Sequence, residues 1–184
     1  MIKKYKMHRR TIWGLFTAIL AFTFVTLMGQ QSLSSNELSD AAKIRKVENL
    51  YEGYKTDFPS VLDLSARQAM DLMDDQKAVF IDTRKPQEQR ISMLPGAITE
   101  KEFLDNSKSY EDHVKIAYCT ISYRSGILVE NLQAKGIPVY NLRGGILAWL
   151  HEGGKVYDQM GETYRVHVYG QKWNLVPEQY EAIW

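Results

Sequence analysis

Cysteine is almost absent: the 184-residue chain has one, Cys119. An intramolecular disulfide is excluded, and the cysteine count does not identify a redox compartment. Histidine is scarce. His8, His113, His151 and His167 show no ligand spacing, and without a second cysteine no zinc site, and no other metal or cofactor, is expected. Gly144-Gly145 lacks a G-x-G-x-x-G context, so a nucleotide fingerprint is excluded. No internal repeat is present. Acidic residues are missing before Glu37, whereas Lys3, Lys4, Lys6, Arg9 and Arg10 crowd the first ten positions. The net charge of +1 hides that asymmetry: without those five, 18 basic residues face 22 acids. Nothing there builds the basic face that nucleic acid requires.

What is present is an ordinary globular composition, 45% apolar and 24% charged. One stretch departs from it. Thr11–Gly29, "TIWGLFTAILAFTFVTLMG", carries no charge. As a helix rising ~1.5 Å per residue it would nearly cross a ~30 Å hydrocarbon layer. The basic run precedes it, and only Lys43, Arg45 and Lys46 follow closely. The positive-inside bias then puts the N-terminus in the cytoplasm and the rest on the extracytoplasmic (periplasmic) side, anchored in the membrane through Thr11–Gly29. Secretion after signal cleavage, with Ser32 and Ser34 as small residues before the cut, is one alternative. A buried helix of the globular domain is another.

Beyond a polar linker at 30–36, Leu38 to Tyr54 shows near-helical apolar spacing and predicts a surface helix. "SARQ" at Ser65–Gln68 is a capping box opening a helix. "AVFID" (Ala78–Asp82), "VKIAYC" (Val114–Cys119) and "PVYNL" (Pro138–Leu142) predict buried strands. "EKEFLDN", "RSGILVENLQAKG" and "GGILAWLHEGG" predict helices between and after them, the second closed by Gly136. Strands alternating with short helices predict an α/β fold with a mainly parallel sheet, whose ligand crevice lies at the carboxyl ends of the strands. Cys119 ends one strand. In the tail, "YRVHVYG" reads as an exposed strand and "VPEQYEAIW" as a short helix with Pro177 in its first turn. The segments are 1–29 (basic N-terminus and membrane or signal segment), 30–58 (linker and helix), 59–154 (the domain) and 155–184 (a C-terminal extension).

Around Cys119 the argument is electrostatic. In "YCTISYRSG" a strand delivers the thiol to a tight loop, and a helix follows. Amides at a helix start carry partial positive charge, and Arg124 adds a full one. Such a setting favours the thiolate nucleophile, and equally a persulfide anion or an oxyanion. Thr120, Ser122 and Ser125 can add hydroxyl donors. Four residues separate Cys119 from Arg124, one fewer than in the loop of cysteine phosphatases, and the smaller ring suits one sulfur atom better than a phosphoryl group.

These pieces, in order, resemble a rhodanese-family domain over roughly Leu64 to Gly154. "FIDTRKPQE" is similar to the D-x-R-x-x-x-E segment (Asp82, Arg84, Glu88), and "ISMLPGAI" to G-H-I-P-G-A (Pro95, Gly96, Ala97). "YCTISYRSG" stands at the active loop, and "VYNLRGGILAW" is similar to the closing segment (Gly144, Gly145, Trp149). The resemblance implies a three-layer fold, a mainly parallel sheet flanked by helices, and a sulfurtransferase. Cys119 would take sulfane sulfur from a small anionic donor such as thiosulfate and pass it to a thiol or cyanide. Residues Thr120, Ile121, Ser122, Tyr123 and Ser125 would form the binding loop, and Arg124 would stabilise the persulfide and bind the donor. Asp82 and Arg84 would support the loop or form an ion pair fixing the strand end; Arg143 would lie beside the pocket or in a solvated turn. The loop departs from the common C-R-x-G-x-R: Thr120 replaces the basic residue and Ser122 the glycine. Ser92, Met93 and Leu94 replace Gly-His-Ile, altering a surface near the site. Two other functions stay open: a non-catalytic module that binds a partner or senses sulfur, and a phosphatase or arsenate reductase, against which the short loop and missing second cysteine argue.

Overall fold

A computed structural model describes residues 38–184. The expected membrane segment and linker at 1–36 lie outside the described residues. Among the described residues no helix is long and apolar enough to cross a membrane. In chain order the elements are α1 (Asp40–Lys55), β1 (Asp63–Leu64), α2 (Ala66–Asp74), β2 (Ala78–Asp82), α3 (Pro86–Gln89), β3 (Ile98–Thr99) and α4 (Glu100–Asp105). There follow β4 (Val114–Tyr118), α5 (Tyr123–Gln133), β5 (Val139–Leu142), α6 (Gly145–His151) and the short strands β6 (Val156–Asp158), β7 (Gly161–Thr163), β8 (Arg165–His167) and β9 (Glu181–Ile183).

Five strands form one parallel sheet in the order β1-β5-β4-β2-β3. Its central strands are apolar on both faces because both faces are covered. Strand side chains alternate, and the alternation sorts them into two cores. Phe80, Ile116 and Tyr118 pack with Val47, Ala69, Ile146 and Trp149 on the side of α1, α2 and α6. Ile81 and Ala117 pack with Phe103, Val129 and Leu132 on the side of α4 and α5. The three-layer expectation holds. Ser65 accepts from the Gln68 amide, and Gln68 accepts in return from the Ser65 amide, completing the expected capping box.

Ser39–Trp184 form a single compact unit, so the polypeptide on either side of 59–154 is part of the core. Val47 of α1 is wholly buried. The tail meets expectation in one strand and departs from it in the other. β8 alternates, with Arg165 exposed and Val166 fully buried, as is Val168 just after it. "VPEQYEAIW" forms no helix: after a turn in which the Tyr180 amide donates to Pro177, β9 pairs parallel with β8. A helix of so few residues is marginal alone, and here the backbone gains a strand partner while Val176 and Tyr180 enter the core. The Glu178 amide donates to Asp40 Oδ1 at 3.0 Å, tying the tail to α1.

Candidate active site

Cys119 follows directly on β4, at the carboxyl end of a central strand, and is 2% exposed. The loop after it is held from below by α6. The Ile146 amide donates to the Cys119 carbonyl at 2.9 Å and the Leu147 amide to the Thr120 carbonyl at 3.4 Å. That approach requires glycine at 145. A Cβ there would stand 2.5 Å from the Cys119 carbonyl oxygen and 2.7 Å from that of Thr120, and φ is +59°. With both carbonyls drawn to α6, the amides of Thr120, Ile121, Ser122, Tyr123 and Arg124 remain. Among the described residues none of them donates to a backbone or side-chain acceptor. Free amides at the start of α5 make a setting for an anion.

Ser122 occupies the left-handed region, φ +77° and ψ −5°, where glycine would be at ease and a side chain costs about 1–2 kcal/mol. Its hydroxyl offsets that cost by donating to the Leu142 carbonyl, and its own carbonyl accepts from the Gly126 amide at 2.9 Å and Asn141 Nδ2 at 3.4 Å. Ser125 donates to Asn141 Oδ1 at 2.7 Å. Ser122, Ser125 and Asn141 are all fully buried. The two serine hydroxyls thus bind the loop to β5, whereas Cys119, Thr120, Ile121, Tyr123 and Arg124 line the pocket.

Arg124 makes a two-pronged ion pair with Glu88, Nη1 to Oε2 at 2.7 Å and Nη2 to Oε1 at 2.9 Å, and Nη2 also donates to Thr120 Oγ1 at 3.3 Å. The Glu88 side chain is 2% exposed and that of Arg124 is 29% exposed. Burial pushes the Glu88 carboxyl up, but the Arg124 hydrogen bonds, the Lys85 amide and the charges of Arg124 and Arg84 outweigh it and hold the carboxyl below its usual range. Burial likewise opposes the Arg124 charge, and Glu88 and the nearby Cys119 overcome it, so the guanidinium stays raised. His167 Nδ1 lies 3.9 Å from Glu88 and accepts from the Tyr169 amide at 3.2 Å.

Asp82 and Arg84 are fully buried and paired, Arg84 Nη2 to Asp82 Oδ2 at 2.8 Å. Arg84 also donates to the Ser92 carbonyl, and Tyr118 donates to Asp82 Oδ2 at 2.6 Å while accepting from the Leu94 amide at 3.1 Å. This network ties β2, β4 and the 92–94 turn together behind the loop and contributes no wall to the pocket. Of the substitutions at 93 and 94, Leu94 is buried, whereas Met93 is half-buried and its backbone pairs with that of Tyr157. Arg143 pairs with Glu52 at 2.6 Å and stacks over Tyr51, away from Cys119.

The pocket in front of Cys119 measures about 420 Å³. Its remaining walls are Tyr54, Tyr169 and Trp173, none of which the sequence singled out. Tyr54, in the last turn of α1, meets Tyr123 edge to face at 5.2 Å and Trp173 at 6.2 Å. The Arg124 guanidinium lies 5.7 Å from the Tyr169 ring centre. Isolated aromatics 65 residues before and some 50 after the cysteine carry no local pattern; only Glu88, inside a quoted motif, left a signal.

Residues 65–152 match the rhodanese-like domain family. A tRNA sulfurtransferase from Desulfurococcus amylolyticus is 28% identical over 135 residues, 70% of this chain and 27% of that protein. The chain thus spans about a quarter of that relative's length. The crystal structure of a thiosulfate sulfurtransferase from Pseudomonas aeruginosa shares the fold, with 24% identity and a TM-score of 0.50 over 68% of this chain and 25% of that one. A rhodanese-related protein from Thermoplasma volcanium aligns at 24% identity and a TM-score of 0.45, over 52% of this chain and 96% of that one.

Proposed function

We propose, from the match of residues 65–152 to the rhodanese-like domain family, that the protein is a sulfurtransferase working through a persulfide on Cys119. One observation carries the proposal. The thiol sits at the base of a pocket, at the carboxyl end of a central strand, beside loop amides that have no other acceptor among the described residues. The Cys119 thiolate attacks the outer sulfur of a donor such as thiosulfate. The donor's S–S bond breaks as the new one forms, and sulfite leaves with the bonding pair. The persulfide anion then rests against the loop amides, with Arg124 nearby. Cyanide or a thiolate attacks its terminal sulfur, and the Cys119 thiolate is restored. A 28%-identical relative is a sulfurtransferase, which supports the reading.

Intact-mass analysis of reduced protein after donor treatment tests it. The expected result is one added sulfur atom, lost on exposure to cyanide and never gained by Cys119→Ser. No adduct with thiosulfate, polysulfide or an organic donor would sink the proposal. A non-catalytic module remains the second reading, favoured by the Glu88 carboxylate that already occupies Arg124; it expects partner capture that survives Cys119→Ser. Placement outside the cytoplasm, on an anchor at Thr11–Gly29, is part of the same proposal and is tested by protease accessibility of the domain in intact cells and in spheroplasts.

A further inference from the structure

We propose that the Cys119 pocket selects sulfur carriers with an aromatic body rather than small inorganic anions, an inference that rests on the sulfur-transfer reading and names its substrate class. Four rings from three separate parts of the chain line the pocket beside the thiol: Tyr54, Tyr123, and the pair Tyr169 and Trp173. Three of them lie outside residues 65–152, so α1 and the C-terminal segment supply walls that the rhodanese-like part does not contain.

Charge points the same way. Among the described residues lining the pocket, Arg124 is the one charged side chain, and Glu88 already matches it with two hydrogen bonds. A doubly charged donor would meet little uncompensated positive charge. An aromatic body would meet ring faces, with its sulfur end at the loop amides and Arg124. The volume of about 420 Å³ is that of an organic-ligand pocket, within the ~300–1,000 Å³ range typical of such sites.

The C-terminal rings are also held at a local cost. Tyr169 has φ +66°, an unfavourable conformation for a bulky residue, yet it stays 62% exposed. Packing in the core does not explain its position. The Trp173 Nε1 is buried with no acceptor among the described residues. Strain of this kind concentrates where a site is preorganised.

The test compares two donors with the same reactive group and charge on the full chain: methanethiosulfonate and benzenethiosulfonate. In each, the Cys119 thiolate takes the terminal sulfur, the S–S bond breaks, and the sulfinate leaves with the electron pair. Loading rates are followed by mass and divided by those of a free small-molecule thiol, which removes intrinsic reactivity. The expected benzene-to-methane preference is about tenfold or more. It should fall roughly fivefold in Tyr169→Ala and in Trp173→Ala, and persist in Tyr169→Phe. A normalised preference near one, or a preference untouched by both alanine variants, overturns the inference. A second readout does not need transfer: protection of Cys119 from iodoacetamide by benzenesulfinate against methanesulfinate. If no donor loads Cys119, the sulfur-transfer reading fails by itself. Selective protection by benzenesulfinate then upholds the aromatic site, and equal protection by both overturns it.

Discussion

Replacing Gly145 with alanine should damage the Cys119 loop far more than the same change at Gly136. Both glycines have positive φ, +59° and +78°, so both alanines carry the left-handed penalty of about 1–2 kcal/mol. At Gly136 nothing lies within 4 Å of an added Cβ, and that penalty is the whole cost. At Gly145 the Cβ would stand 2.5–2.8 Å from three backbone atoms of residues 119–121. Backbone must then move by nearly 1 Å, and the bonds from Ile146 and Leu147 to the Cys119 and Thr120 carbonyls are lost. Two such bonds add about 2 kcal/mol. Gly145→Ala should therefore lose about 3–4 kcal/mol against 1–2 for Gly136→Ala, an extra ~4–8 °C in Tm for a unit of this size. Urea and thermal unfolding, with Cys119 loading measured on the folded fraction, check this. Equal losses in the two variants, or full loading in Gly145→Ala, would show that α6 does not shape the loop.

Three further outcomes follow from the same geometry. Glu88→Gln removes the carboxylate that neutralises Arg124; thiosulfate should load Cys119 faster while stability falls by about 1–3 kcal/mol, and unchanged loading would contradict the role given to this pair. Tyr118→Phe leaves the Leu94 amide without its buried acceptor and takes one donor from Asp82, which keeps Arg84, and should cost about 1–3 kcal/mol by urea denaturation. For His167, burial lowers the pKa below its usual 6.5, opposed by the Glu88 charge and aided by Arg84 and Arg124. The unfolded chain then takes up the proton first, so the stability is fully present above about pH 6.5 and is lost as pH falls from there through the folded value. A pH series of unfolding midpoints should show that slope, and His167→Gln should remove it.

The sheet's three main strands, the capping box at Ser65 and the position of Cys119 were legible because each rests on local chemistry. Apolar runs of strand length, hydroxyl and amide pairs three apart, and glycine pairs at close approaches repeat whatever surrounds them. The role of Ser125 was not legible. Its hydroxyl faces Asn141 rather than the pocket, and helix orientation decides that. The tail failed for a related reason: "VPEQYEAIW" reads as a helix only until β8 offers its edge.

The amino-acid order alone thus determined an α/β layer fold and a single thiol carried into a tight loop, since both depend on neighbours within a few positions. Tertiary packing decided what faces that thiol. It brought Glu88 onto Arg124 and set Tyr54, Tyr169 and Trp173 around the opening, side chains far apart along the chain that meet only because α1 and the C-terminal strands bury their apolar faces in the same core.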